Sequence, residues 1–530
     1  LVVQSRPHAR SVEVPDSPYC RGTMQSTHDN EEMEGVLILS IAMRRTLLVL
    51  LIFSAGIASY NWNLFRVADP SFFAQTNADS EELILDGILH GENGTPMIGR
   101  YNRLIDISPG IERKLYVDRD TSGEFRRYTS QFGMQYYFFF HFSKYVSRDY
   151  RVMQLVASAL MAAVVCGFFV GIASISTDTL GLAFALPLLI SPWVAAFAAN
   201  LYWVEFTWFL PALIALLMGG RAYLSLRWFA LLCILMFASF LLRLLSGYEF
   251  ASTVVLASFV FLLLHGLRER VSAWRILALV VAVGCISLLA FATAVMLHAR
   301  VIGPDMASGL GQVTEVAAKR LSAKYCDEAC IKAACATEFE GAKSAEEKTG
   351  ICVGRLQASL STSVYKMIPR YLLMQHFVPW IDYFSDMSEE KKSEISALAH
   401  ELKIAIASHS MQGVVRIADG MNRSLIVSIA SAGISVLAFL AFNLAVFHTL
   451  VKRRSSLSAV TLASFLCSAS WFVLAKGHSY IHTHIDFVLW YLLYIPLGLA
   501  SIVDSKCRLS ANWGEKPAEV SSGKLPLGSL

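Results

Sequence analysis

About ten stretches of this 530-residue chain run almost unbroken through apolar side chains. They are Thr46 to Leu64, Val152 to Ser174, Leu180 to Ala198, Leu201 to Met218, Trp228 to Leu245, Phe250 to Leu267, Ile276 to Leu297, Leu425 to Leu450, Leu457 to Ala475 and Phe487 to Val503. Each is close to the roughly 20 residues that carry a helix across about 30 Å of hydrocarbon. Barrel strands would alternate polar and apolar residues, so these stretches read as helices. The predicted fold class is an all-α polytopic membrane protein with about ten transmembrane helices.

Composition agrees. Hydrophobic residues make up 55% and charged residues 16%, and the mean hydropathy is +0.50. A soluble chain of this length needs about a quarter of its residues charged to cover its cores. A disordered chain needs fewer apolar residues, and a net charge of +4 is too small and too scattered to suggest a nucleic-acid binder.

Orientation follows from Lys and Arg in the short connections, which collect on the cytoplasmic side. Arg44/Arg45, Arg221/Arg227, Arg268/Arg270/Arg275, Lys452/Arg453/Arg454 and Lys506/Arg508 all fall inside if both termini do. Two long connections then lie outside, predicted as periplasmic loops over 65–151 and 301–422. The resulting division is an N-terminal extension over 1–42, spans one to seven with the first loop over 43–300, the second loop as a cap over 301–422, spans eight to ten over 423–508, and a cytoplasmic tail over 509–530. Met43-Arg44-Arg45 before an apolar run looks like a native start, so 1–42 is read as disordered or non-native; the tail is read as disordered.

The second outer loop holds four clustered cysteines, Cys326, Cys330, Cys335 and Cys352. Zinc is one reading, but the paired C-x2-C knuckles of a structural site are missing. In an oxidising compartment two disulfides, of undetermined pairing, are the favoured reading. The same loop carries a predicted helix from Glu389 to about Ile406, capped by Asp386 or Ser388, and an interfacial apolar segment from Met367 to Phe384. A disulfide-stapled cap of this kind either excludes water from a transfer site and selects the acceptor or serves as a partner-docking surface.

Candidate chemistry concentrates in the outer loops and at the outer ends of spans. Asp79, Glu82 and Asp86 recur at helical spacing, with Glu81 beside them. They form either a solvated helix face or a source of general base. Tyr128 to Gln135, containing Gln131 and Gln135, runs into the aromatic stretch Tyr136 to Phe142, either an interfacial helix or a groove for a lipid-linked substrate. Glu205 sits between Trp203 and Trp208, and Arg243 precedes Tyr248 and Glu249 near a span's end. Arg243 either snorkels to headgroups or holds a lipid phosphate. Between the last two spans, Lys476, His478, His482, His484 and Asp486 read as a cationic rim for phosphate or sugar, with a divalent-metal site and plain interfacial anchoring as alternatives. Clean spans and no internal repeat argue against a midplane transport path.

With D-S-E-E-L-I-L at Asp79, Y-T-S-Q-F-G-M-Q at Tyr128, N-L-Y-W-V-E-F-T-W-F-L-P at Asn200, R-L-L-S-G-Y-E-F at Arg243 and G-H-S-Y-I-H-T-H at Gly477, the chain resembles the GT-C superfamily of integral-membrane glycosyltransferases, in its bacterial members. The resemblance covers the layout from about Met43 to Arg508. It implies an inverting transfer of a sugar from a polyprenyl-phosphate donor to an envelope glycan or lipid acceptor, at the periplasmic face of the bacterial inner membrane. It implies a first-loop carboxylate as base, Asp79 first with Glu81 and Glu82 as rivals. It further implies Arg243, Lys476 and His478 at the donor phosphate, and Gln131, Gln135, Glu205, Tyr248, Glu249, His482 and His484 along the substrate. No cofactor is required, though a divalent metal is compatible. An O-antigen polymerase or ligase, and a lipid-linked oligosaccharide flippase or exporter, are the alternative functions.

Overall fold

Helices account for most of the backbone. Along the chain come α1 (Met24–Trp62), α2 (Ala78–Asn93), β1 (Gly99–Asn102), α3 (Ile111–Asp118), β2 (Glu124–Arg127), α4 (Met134–Tyr145), α5 (Tyr150–Ile175), α6 (Asp178–Ile190), α7 (Pro192–Ala198), α8 (Phe206–Ala222), α9 (Leu226–Ser246), α10 (Ala251–Arg268), α11 (Ala273–Ile302), α12 (Met306–Leu321), α13 (Arg423–Lys452), α14 (Ser456–Leu474), α15 (Lys476–Ile481), α16 (Val488–Leu492) and α17 (Tyr494–Gly514). The computed structural model describes residues 24–65, 78–94, 96–103, 111–321, 423–452, 456–481 and 486–514, with a few isolated positions besides. The chain divides into two units, residues 1–51 and residues 52–530. The described part of the first is the leading portion of α1.

Among the described residues six helices are long and apolar enough to cross a membrane: Ala42–Trp62 of α1, then α5, α9, α10, α11 and α14. The count reaches seven if the bent pair α6 and α7 is one span, where the sequence predicts ten. The differences have local causes. The third predicted stretch bends by 69° between Ile190 and Pro192. There Ser191 accepts a hydrogen bond from the Val194 amide at 3.1 Å and Pro192 opens α7, a capped restart instead of a continuation. The fourth stretch becomes the shorter α8, and the eighth lies within the 30-residue α13. The tenth breaks at Leu493 into α16 and α17.

Three further differences concern the outer segments and the ends. The all-α expectation misses a two-stranded antiparallel ribbon, β1 with β2, pairing Gly99 with Arg127 and Asn102 with Glu124. The strand sequences G-R-Y-N and E-F-R-R carry one aromatic residue each and no apolar alternation to mark them. The helix α1 begins at Met24 and α17 runs on to Gly514, so neither predicted terminal boundary, at 42 or at 509, coincides with a helix end. The four clustered cysteines, the Met367–Phe384 segment and the helix expected over 389–406 lie outside the described residues.

The core of the second unit is built where α5, α6, α8, α10 and α14 meet. Phe168 stacks on Phe184 at 5.1 Å and stands edge-on to Phe209 at 6.2 Å, with Phe261 5.8 Å away. Such pairs add about 0.5–1.5 kcal/mol each beyond burial. On α5, a Cβ at Gly167 would fall 2.8 Å from Leu213 and one at Gly171 2.6 Å from Leu216. The two glycines therefore let α5 and α8 approach closely, the usual means of helix association in lipid.

The segment from α2 to α4 closes over one end of this bundle. Its links run to Leu201 and Tyr202 before α8, to Leu245 at the end of α9 and to Val301 at the end of α11. These are the ends that the basic junctions predict to be outside.

Candidate functional site

Helix α2 is buried almost all round. Leu83, Ile84, Leu85, Ile88 and Leu89 supply the apolar part, and Glu81, Glu82 and Asp86 are buried with them at 1–2% exposure. The solvated-face reading of the acidic stripe is thereby overturned. Two glycines allow the fit: a Cβ at Gly87 would meet the Met97 carbonyl at 2.9 Å, and one at Gly91 the Tyr136 hydroxyl at 2.6 Å.

Burying three carboxylates costs several kcal/mol each unless partners compensate, and the partners divide them into two groups. Asp86 receives Nη1 and Nη2 of Arg103, each at 2.7 Å, and the Tyr101 amide at 2.9 Å. Arg103 also donates to the Asp120 carbonyl at 2.6 Å and, at 3.3 Å, to Glu82. The ribbon positions this fork, since Tyr101 lies in β1 and Arg103 directly follows it. Burial pushes the Glu82 carboxyl up to about 7, helped by the nearby Asp86 and Glu112 and opposed by Arg100 and Arg103. Burial also raises Asp86, against the pull of Arg103 and of the Tyr101 amide.

Glu81 points the other way. Its carboxylate accepts from Arg113 Nε at 2.8 Å, from Gln154 Nε2 at 2.9 Å and 3.2 Å, and from the Leu201 amide at 3.3 Å. Thus α3, α5 and the turn before α8 converge on one carboxylate. That turn is set by Asn200, whose Oδ1 accepts from the Tyr202 and Trp203 amides at 2.9 Å and 3.3 Å, an Asx turn. Val204 follows in the left-handed region at φ 40°, strained for a β-branched residue.

Two cavities adjoin Glu81's partners. One of about 390 Å³ is lined by Arg113, Gln154, Asn200, Asn61 and Trp62. The other, an open cleft of about 800 Å³, shares Arg113, Tyr150 and Arg151 with it. The first offers amide groups, aromatic rings and two cations, the mixture that suits a sugar carried on an anionic group.

Arg243, the predicted phosphate ligand, lies inside a closed network. It is 2% exposed, donates to the Glu249 carbonyl and stands 5.5 Å above the Trp208 ring. The predicted substrate residues Gln131 and Gln135 both bond to Tyr202. Gln131 accepts from the Tyr202 hydroxyl at 3.3 Å, and Gln135 donates to the Tyr202 carbonyl at 2.9 Å. Tyr128 meets Tyr202 hydroxyl to hydroxyl at 3.2 Å. The aromatic segment at 128–142 is therefore packed into the protein along its inner side, with Tyr136 and Phe139 fully buried.

Tyr248 pairs with His298 Nδ1 at 3.2 Å on the wall of an apolar cavity of about 240 Å³. Glu205 is fully buried, and among the described residues neither of its carboxyl oxygens has a hydrogen-bond partner. Lys476 is half-buried at the start of α15 and Asp486 is buried. His482 and His484 lie outside the described residues, as do the side chains of His478 and of Asp79, which stands in the first turn of α2. Among the described residues no three His, Cys, Asp or Glu side chains converge as metal ligands.

No protein-family model, curated protein or solved structure matches this chain.

The arrangement brings Glu81, Glu82, Gln131, Gln135, Arg243 and Glu249 to one end of the bundle. Sequence reasoning misses Arg103, Arg113 and Gln154 as partners of the acids. The last two lie 32 and 73 residues from Glu81, and no spacing rule connects them to it.

Proposed function

We propose that this protein is an integral-membrane glycosyltransferase of the GT-C type. It moves a sugar from a polyprenyl-phosphate donor to an envelope glycan or lipid acceptor at the periplasmic face of a bacterial inner membrane. In this reading all ten apolar stretches lie in the bilayer, including the bent pair α6 and α7, the shorter α8, α13 and the broken α16 and α17.

The observation that carries the reading is the Glu81 carboxylate, held by Arg113 and Gln154, which both line the cavity shared with Asn61, Trp62 and Asn200. An inverting transfer needs a base for the acceptor hydroxyl and a cation for the departing phosphate. Glu81 takes the hydroxyl proton as the acceptor oxygen bonds to the anomeric carbon. The bond from that carbon to the phosphate oxygen breaks on the opposite face, its electron pair leaving with the phosphate. Arg113, permanently charged, balances that anion. Burial pushes the Glu82 carboxyl up to about 7, but its carboxylate faces Asp86 and Arg103, and geometry takes precedence over pKa in choosing a base.

The test is transfer of a labelled sugar from a polyprenyl-phosphate donor by the full chain in proteoliposomes. Glu81→Gln is expected to lower the rate by about 100-fold or more, with a smaller loss for Glu82→Gln. Undiminished transfer by Glu81→Gln removes Glu81 from the role, and loss with Asp79→Asn instead moves it to Asp79. Passage of labelled lipid across the vesicle without a new glycosidic bond identifies a flippase.

A further inference from the structure

Five cations line the larger cleft: Arg113, Lys114, Arg119, Arg148 and Arg151. Two acids face them, Glu92 and Asp149. Arg148 meets Glu92 only at 3.4 Å, with the arginine side chain 53% exposed, and Asp149 is occupied in capping α5, accepting from the Arg151 amide at 2.9 Å. Glu81 engages Arg113 from behind. The cleft therefore keeps a net positive charge. Arg119 contributes to it from a left-handed backbone position, φ 56° just past the end of α3, where glycine is the ordinary occupant.

Its depth limits what can fill it. Tyr150 and Arg151 form the first turn of α5, a helix long and apolar enough to cross a membrane, so with α5 spanning the bilayer the cleft opens at the level where lipid headgroups lie. On the outward orientation that the basic junctions predict, this is also the face where Lys and Arg are normally sparse, so a cluster of five is not a topological anchor. Guanidinium forks match phosphate oxygens in pairs. We propose that this cleft binds the phosphate of a membrane lipid's headgroup, with Lys114, Arg119 and Arg148 as its outer ligands. The inference shares its orientation with the reading above but not its chemistry, because these three residues take no part in the Glu81 contacts.

The experiment is native mass spectrometry of the full chain in detergent, offered phosphatidic acid or phosphatidylcholine, with inorganic pyrophosphate as a separate soluble probe. Preferential retention of phosphatidic acid is expected. It is expected to weaken about tenfold or more in the triple variant Lys114→Gln, Arg119→Gln, Arg148→Gln, while the melting temperature and phosphatidylcholine retention hold. No preference for phosphatidic acid, or equal retention by the triple variant, overturns the proposal. Pyrophosphate binding that the triple variant loses, without phosphatidic acid binding, also overturns it and makes the cleft a site for soluble phosphates. Glu81→Gln is expected to keep the lipid, so loss of the transferase reading and loss of this one are separate results.

Discussion

Arg103 grips Asp86 with both ends of its guanidinium, each nitrogen 2.7 Å from a different carboxylate oxygen, and both side chains are 1% exposed. The pair ties the ribbon to α2 and so holds the face of the helix opposite Glu81. A bidentate buried pair is insensitive to salt but intolerant of losing one member.

Asp86→Ala leaves the Arg103 charge buried with its main partner gone. The expected loss is about 3–5 kcal/mol, read as a drop in melting temperature of the detergent-solubilised chain. A loss below about 1 kcal/mol means that the pair contributes no more than a surface contact.

Glu82 makes the fold sensitive to pH. Its carboxyl titrates near 4.5 when unfolded and near 7 when folded, so between those values the folded chain holds a proton that the unfolded chain has released. Stability therefore falls as pH rises from about 4.5 to 7, by about 3 kcal/mol at most. Glu82→Gln should flatten that slope and make the variant more stable than the parent at pH 8. Equal slopes for the two proteins in a melting series from pH 5 to pH 8 assign the sensitivity elsewhere.

Gly247 keeps the Arg243 network closed. A Cβ there would fall 2.5 Å from a Glu249 carboxylate oxygen and 2.8 Å from the Gln131 carbonyl oxygen. Gly247→Ala is expected to cost about 1–3 kcal/mol by overpacking and to hasten proteolysis near Gln131. A variant that melts and is cleaved like the parent contradicts this packing.

Gly133 enters α4 at φ 80°, its amide donating to the Leu245 carbonyl at 3.0 Å. Gly133→Ala asks an L residue to hold a left-handed backbone, at about 1–2 kcal/mol, and sets its Cβ 3.1 Å from Ile98. Hydrogen exchange should rise through α4 and leave α5 unchanged. Uniform exchange across both helices would mean that α4 is not a separate unit of stability.

Hydropathy alone led to most of the membrane helices, because continuous apolar runs are local and lipid demands them. It did not show where a run is interrupted: Ser191 with Pro192 restarts a helix, and the last stretch breaks at Leu493. The acidic spacing in Asp79 to Asp86 was legible as one helix face, but its burial was not. Glu82 and Asp86 acquire their partner from the end of a ribbon whose strands carry no apolar alternation.

By itself the sequence determined that the chain holds helices long and apolar enough to cross a membrane, which junctions are basic, and that the acids before Leu83 share a helix. Only the tertiary structure decided what each polar group faces. Glu81 meets the Leu201 amide across 120 residues, Gln135 meets Tyr202 across 67, and Arg127 meets Val301 across 174. Periodicity and hydropathy act over a turn or a span, whereas these contacts are selected by the packing of helices that lie far apart in the sequence.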